Sequence, residues 1–383
     1  MQEGNEKYVS LFDGDDYRDS DRYDDRDHTD SCSLGESVRG GTDREGCGQK
    51  QDTMNPYFWE NATILITGGT GSFGVAFLNE CERAIDRIRE VRVFSRDEKK
   101  QDDLRKRFLD RKIKFIIGDV RDKASVDAAM VGVDYVFHAA ALKHVPTGEY
   151  HPYETVKTNV IGSHNVIESA IEHEVKKVVV LSTDKAVNPT CAMGMTKGLM
   201  EKCALARCEA SGTKICVTRF GNVMGSRNSV IPLFAQQLRE GQAATVTDPD
   251  MIRYMMTMQQ AQKLVIFAFE HGNTGDTFVL NAPVADVMTV LCAVRDIVAP
   301  EMAPIQKHMV TLGPRRGEKK REELLTEEER VYARKADAGF GDVYCVPYHR
   351  SATPVGDFPA KPNMLSVSDL KRLILDYDII EEV

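Results

Sequence analysis

The stretch Ile64-Leu65-Ile66-Thr67-Gly68-Gly69-Thr70-Gly71-Ser72-Phe73-Gly74 decides the fold. Three apolar residues run straight into a glycine cluster, and Val75, Phe77, Leu78 and Ile85 follow at helical spacing. The pattern predicts a buried strand, a tight turn and a helix N-terminus. Gly68 can take a backbone angle closed to residues with a Cβ. Gly71 lets the main chain approach a pyrophosphate, and Gly74 lets the helix pack close to the sheet. The N–H groups and positive dipole end of that helix suit phosphates, with Thr70, Ser72 and Phe73 completing the turn. A glycine-rich turn alone is a weak signal. Between a strand and a helix it reads as a dinucleotide site.

Outward from this turn, apolar strands and helical stretches alternate. Strands are expected at Val91–Phe94, Ile113–Ile117, Tyr135–His138, Lys177–Leu181 and Ile215–Thr218, with helices at Glu98–Leu109, Asn159–Ile171 and Ala192–Glu209. Such alternation predicts an α/β fold with a Rossmann-like, doubly wound parallel sheet covered on both faces. Ligands of these sheets lie beyond the carboxyl ends of the strands, where this chain collects its small and polar residues. From about Gly225 the alternation breaks down, as expected of a smaller C-terminal substrate-binding cap. A last helix is expected from Ser366, after an irregular loop at Ser351–Pro362. The expected organisation is an acidic, disordered extension over 1–57, a dinucleotide-binding domain over 58–224, and a mainly substrate-binding region over 225–383 interleaved with it.

The net charge of −9 argues against nucleic acid as a partner, since such binding rests on a basic surface. Most of that acidity falls in residues 1–57, where Asp and Arg mix with almost no aliphatic side chain. No apolar run is long enough to span a membrane and no signal pattern opens the chain, so a cytoplasmic protein is expected. Nine cysteines without C-x-x-C spacing read as reduced thiols; Cys81, Cys203 and Cys216 fall in apolar stretches and are expected in the core. The histidines follow no tight ligand spacing, so no metal is expected, and His138 reads as a packed residue.

The end of the second strand selects the cofactor. Arg96 follows Ser95 directly and Lys100 lies one helical turn on, so both can face a 2′-phosphate, which favours NADP; Asp97 keeps NAD open. Asp119 and Val120 at the end of strand three fall near the adenine, and Ala139, Ala140 and Ala141 at the end of strand four line the same path.

Chemistry is expected in Ser182-Thr183-Asp184-Lys185, at the end of strand five. A partly desolvated lysine near other cations can have its pKa lowered enough to act as a base, and an adjacent Asp can donate or take a proton. Beside a nicotinamide, such a pair suits elimination flanked by two hydride transfers. The plain alternative is a surface salt bridge. One turn into the next helix, Met193 and Lys197 share a face.

With these residues in view, the chain resembles the extended short-chain dehydrogenase/reductases, and within them the inverting nucleotide-sugar 4,6-dehydratases of polysaccharide synthesis. The matching stretches are ILITGGTGSFG (64–74), FSRDEKKQDDLRK (94–106), GDVRD (118–122), YVFHAAALKHVP (135–146), VKTNVIGSHNV (156–166), LSTDKAVNPTCAMGMTK (181–197), RFGNVMGSR (219–227), SVIPLF (229–234), TDPDMIRYMM (247–256) and RRGEKK (315–320). The family's usual Tyr-x-x-x-Lys appears here with Met193 in place of tyrosine, and a thioether cannot exchange a proton. A subgroup acting on UDP-N-acetylglucosamine carries this methionine. The resemblance implies oxidation at C4, loss of water across C5–C6, hydride return to C6 and inversion at C5. It implies Lys185 as the C5 base, Asp184 as the acid for the C6 hydroxyl and Lys197 as the ribose-binding lysine. The C4 hydroxyl is left to Lys197 through a water or to Asp184. A UDP-sugar substrate is implied at Lys143, Asn222, Arg253, Arg315 and Glu318, the arginines suiting a diphosphate, and a homo-oligomer is implied as the assembly. UDP-glucose dehydration or 4-epimerisation, and a non-catalytic NADP-binding protein, stay open as alternatives.

Overall fold

A computed structural model describes residues 59–209, 212–226, 229–302, 304–348 and 354–380. The expectation of a disordered extension over 1–57 lies outside the described residues.

The chain starts with β1 (Thr63–Thr67), α1 (Ser72–Arg83), β2 (Glu90–Ser95), α2 (Glu98–Arg107), β3 (Ile113–Ile117), α3 (Lys123–Met130) and β4 (Tyr135–His138). It continues through α4 (Val145–Tyr150), α5 (Pro152–Val156), α6 (Gly162–Glu172), β5 (Lys177–Thr183), α7 (Ala192–Ala206) and β6 (Lys214–Phe220). The remaining elements are β7 (Asn222–Val223), α8 (Val230–Arg239), β8 (Ala244–Val246), β9 (Ile252–Met256), α9 (Met258–His271), β10 (Thr277–Leu280), β11 (Val284–Asp286) and α10 (Val287–Val298). Last come β12 (Met309–Thr311), α11 (Glu327–Tyr332), β13 (Arg334–Ala336), β14 (Val343–Val346) and α12 (Val367–Asp376).

Among the described residues the main sheet has nine strands in the order β13-β14-β10-β6-β5-β4-β1-β2-β3. It is parallel from β3 to β10; at the other edge β14 pairs antiparallel with both β10 and β13 and is the one reversed strand of this sheet. Side chains alternate across a strand, so both faces must be covered. Ile64 and Ile66 enter one core with Phe77, Val93 and Phe137, while Leu65 enters the other with Val136, Val178 and Val217. The α/β, mostly parallel architecture expected from the sequence is the one observed.

Two features differ from the sequence reading. The helix expected from Asn159 is already wound at Pro152 and carries a π-helical turn at Lys157–Ile161 between α5 and α6. At that bulge the Asn159 amide bonds both the N–H and the carbonyl of Leu142, at 2.8 and 3.0 Å, and Thr196 Oγ1 at 3.0 Å. These partners fix the loop after β4, which accounts for a register that helical spacing alone does not foresee. Second, the chain beyond Gly225 does not only cap: β10, β14 and β13 return to the main sheet. The rest of that region packs α8, α10 and α12 around Phe234, Leu291, Leu370 and Ile374.

Candidate active site

The carboxyl ends of the parallel strands open into a cleft of about 1360 Å³. Its floor at one end is the glycine turn. Gly68 has φ +65°, and a Cβ there would come within 2.7 Å of the Ala140 backbone, so only glycine fits. Gly74 sits where a Cβ would meet Gly69 Cα at 2.5 Å, which holds α1 against the turn. Gly71 is the N-cap of α1, without a side-chain cap and with no acid in the first turn. The helix N-terminus therefore keeps its donors and positive dipole end for an outside anion. Buried oxygens nearby also lack partners among the described residues: Thr158 Oγ1 and Ser182 Oγ, on cleft-lining residues, and Asp184 Oδ2. Buried polar atoms are normally bonded, so the two on cleft-lining residues fit a site made to receive a polar ligand.

Each candidate residue can now be placed. Gly68, Thr70, Gly71, Ser72, Phe73, Gly74, Ser95, Arg96, Lys100, Asp119, Val120, Ala139, Ala140, Ala141 and Lys197 all line the cleft, as do Lys143, Asn222, Arg253, Arg315 and Glu318. Lys185 lines it too, but Asp184 does not. Arg96 reaches Asp119 at 3.5 Å, and Lys100 is paired with Asp97, its own helix cap, rather than converging on Arg96. Glu318 accepts from the Arg315 backbone N–H at 3.1 Å, and Arg253 Nη1 donates to the Ile252 carbonyl at 2.9 Å.

At the end of β5 the chain turns into a 3-10 helix over Asp184–Ala186, so successive side chains diverge. Lys185 faces the cleft while Asp184 is fully buried. The sequence reading set Asp184 beside the substrate; the structure removes it from the cleft wall. Its Oδ1 accepts from Thr183 Oγ1 at 2.8 Å, and Thr183, which the sequence reading did not single out, does line the cleft.

Lys185 Nζ donates to Asp184 Oδ1 at 3.1 Å and Asn222 Oδ1 at 3.3 Å, and forms an ion pair with Glu322 Oε1 at 3.5 Å. Burial pushes this ammonium down, but the carboxylates of Asp184 and Glu322 outweigh it and hold Lys185 above the ordinary lysine range. The expected lowering of its pKa is thus corrected: the cations foreseen nearby are outweighed by two carboxylates. Lys197 behaves otherwise. Burial, only partly opposed by Glu201, brings it down to about 8, and its Nζ donates to the Leu181 carbonyl at 2.6 Å. Met193 is buried at the start of α7 and lines the cleft.

A segment over residues 315–323 lies along the β5–α7 connection as a strap. Lys319 Nζ donates to the Val187 carbonyl at 2.8 Å, Asn188 Nδ2 to Glu323 Oε2 at 2.7 Å, and Thr190 Oγ1 to the Gly317 carbonyl at 2.8 Å. The Glu149 carboxylate accepts from the Ala192 N–H at 2.7 Å and lies 3.7 Å from Arg316. Beyond the strap, buried Arg219 of β6 bridges Glu201 of α7 and Glu329 of α11, with its closest contact to each at 2.7 Å. Glu322 reaches the cleft through this strap. The sequence reading missed it because nothing local separates it from the other charges of RRGEKKREE (315–323).

A family profile described as polysaccharide biosynthesis protein matches residues 64–341. A UDP-glucose 4-epimerase of Rickettsia canadensis (strain McKiel) is 48% identical over 341 residues, covering 84% of this chain and 97% of that relative. The X-ray structure of Pen from Bacillus thuringiensis superimposes with a TM-score of 0.77 at 38% identity, over 84% of this chain and 99% of that one. The dTDP-glucose 4,6-dehydratase DesIV from Streptomyces venezuelae, solved with NAD and TYD bound, shares the fold at a TM-score of 0.64 and 19% identity, over 82% and 96%. The chain therefore belongs to the polysaccharide biosynthesis protein family and has the Rossmann fold of the extended short-chain dehydrogenase/reductases.

Proposed function

We propose that the protein is an NADP-dependent, C5-inverting 4,6-dehydratase of UDP-N-acetylglucosamine. In this reading residues 58–224 hold the cofactor, and residues 225–383 supply most of the sugar-nucleotide contacts. The observation that carries it is Lys185 at the cleft wall with a methionine, Met193, at the position where the family's tyrosine would act. A reaction that needs a base at C5 is served by this arrangement; one that needs only a phenol at C4 is not.

The donors of α1 fit a pyrophosphate, and Arg96 with Lys100 would hold a 2′-phosphate once Asp119 and Asp97 share them. A nicotinamide cofactor held there would supply reversible hydride transfer, from C4 and back at C6. Lys197, near pH 8 in its titration, receives the C4 proton through a water and keeps the ribose in place. Lys185, once neutral, takes the C5 proton. The C6 hydroxyl leaves as water: the proton that Lys185 gives up passes to the Asp184 carboxylate 3.1 Å away, and protonated Asp184 hands one on through Thr183 Oγ1, since Asp184 itself does not line the cleft. Arg253 and Arg315 take the diphosphate, with Lys143, Asn222 and Glu318 toward the sugar and uridine. Tyr150, Tyr153, Met195 and Leu199 stay exposed on α4, α5 and α7, which supports self-association of this chain.

The test is proton NMR in deuterated water with UDP-N-acetylglucosamine. A new C6 methyl with deuterium at C5 is expected, and Lys185→Ala should abolish it while leaving cofactor bound. The epimerase name of the relatives supports a second reading. UDP-glucose and UDP-galactose interconverting with no methyl signal would replace the first reading with that one.

A further inference from the structure

We propose that Glu322 is a positioning residue for Lys185: delivered by the strap, it pins the lysine's ammonium to the cleft wall and governs when that group releases its proton. The inference deepens the function above and rests on Lys185 being its proton-transferring group.

The geometry is specific. The Glu322 side chain is 3% exposed, 137 positions from Lys185 in sequence, yet its Oε1 lies 3.5 Å from Lys185 Nζ. Its Oε2 pairs with Lys319 Nζ at 2.9 Å, and Lys319 is tied to the Val187 carbonyl two residues after Lys185. One carboxylate thus joins Lys185 to Lys319, which lines the same cleft and anchors the strap. The charged groups facing Lys185 come from three elements: Asp184 from its own turn, Glu322 and through it Lys319 from the strap, and Arg253 from β9. Tyr254, next along β9, feels Asp184 and Glu322. Two carboxylates on one ammonium favour the charged form, whereas a base must be neutral when it acts. Asp184 is locked to Thr183 and Lys185 within one turn; Glu322 sits on a separate segment with its own cationic partner. Glu322 is therefore the neighbour whose influence can be altered by what the strap contacts. Burial pushes its carboxyl up, but Lys185 and Lys319 hold it below the ordinary range, consistent with a permanent anion at this spot.

The sign of each substitution is fixed by charge. In Glu322→Gln, Lys185 loses a negative neighbour, its neutral form gains, and its pKa falls. In Lys319→Met, Glu322 loses its competing cation, binds Lys185 more strongly, and the Lys185 pKa rises. The experiment is competitive acetylation of the full chain with trace acetic anhydride from pH 6 to 11, read at the Lys185 peptide by mass spectrometry. Expected are opposite displacements of the Lys185 labelling midpoint in the two variants, with the acidic limb of kcat for UDP-N-acetylglucosamine moving the same way and KM changing little. A merely structural role would displace neither midpoint in a charge-ordered way. Identical midpoints in wild type and both variants overturn the proposal. Should Glu322→Gln fail to fold, the rise in Lys319→Met carries the test alone, and its absence overturns the proposal. Opposite midpoints without any turnover in the wild type would leave the Glu322 assignment standing and sink the dehydratase reading instead.

Discussion

His138 sits fully buried at the end of β4, with Nδ1 2.7 Å from Thr67 Oγ1 and Nε2 2.7 Å from Ser163 Oγ. Ser163 already gives its proton to the Asn159 carbonyl, so His138 donates from Nε2 and accepts at Nδ1. It is the packed residue its place at a strand end suggests. Burial, helped by the charge of Lys197, pushes it down to about 3. In the unfolded chain an ordinary histidine titrates near 6.5, so below that pH the unfolded state takes up a proton that the folded state refuses. This group's contribution is full above about pH 6.5 and is lost as pH falls toward 3, at about 1.4 kcal/mol per unit. Urea titrations from pH 4 to 7 should show a shallower pH slope for His138→Gln than for wild type. Equal slopes would mean that the imidazole is not held neutral.

The strap is fastened beyond its own contacts by one buried cluster. Arg219 spends all three of its nitrogens on Glu201, Glu329 and the Leu324 carbonyl, joining β6, α7 and α11. Replacing Arg219 with Met would leave two largely buried carboxylates unpaired, which costs about 3–5 kcal/mol. Chemical denaturation should register that loss. Proteolysis of the folded variant should cut first between residues 315 and 332, because the released elements belong to that segment. An Arg219→Met protein as stable as wild type would show that Arg219 is dispensable to the fold. The elements themselves were unevenly legible. Strands β1 to β6 announce themselves as apolar runs ended by glycine or small polar residues, and Ser366 caps α12 where expected. In contrast, β7, β8 and β11 to β13 span two or three residues each, too short for a period to register. Helix α3 was not foreseen either; its N-cap, Asp122, was read only as part of GDVRD.

For the molecule as a whole, the glycine turn, the strand ends and the strap meet in one cleft although they come from residues 68 to 322. A ligand that bridges them acts on the folded state alone. NADP at a hundred times its dissociation constant should stabilise the protein by about 2.7 kcal/mol. Thermal melts should show a smaller gain with NAD at the same concentration, and an Arg96→Ala variant should lose the difference. Equal gains with both would remove Arg96 from 2′-phosphate recognition. This scale also separates what the sequence told from what it withheld. Apart from Asp184, the motif residues named along the chain do gather around the cleft. The arrival of Glu322 is not local, and the withdrawal of Asp184 turns on a 3-10 winding that an apolar period does not register. The former depends on which carboxylate of a charge-rich run lies nearest Lys185.

The strap carries two kinds of contact. It is moored by main-chain carbonyls and side chains such as those of Val187, Gly317, Asn188 and Thr190, whereas Arg315, Glu318 and Glu322 point their charges at the cleft. Mooring and the charge presented to the cleft are therefore carried largely by different atoms of the same nine residues. Such a division lets Arg315 or Glu318 be exchanged without cutting the bonds to Val187, Asn188 and Thr190.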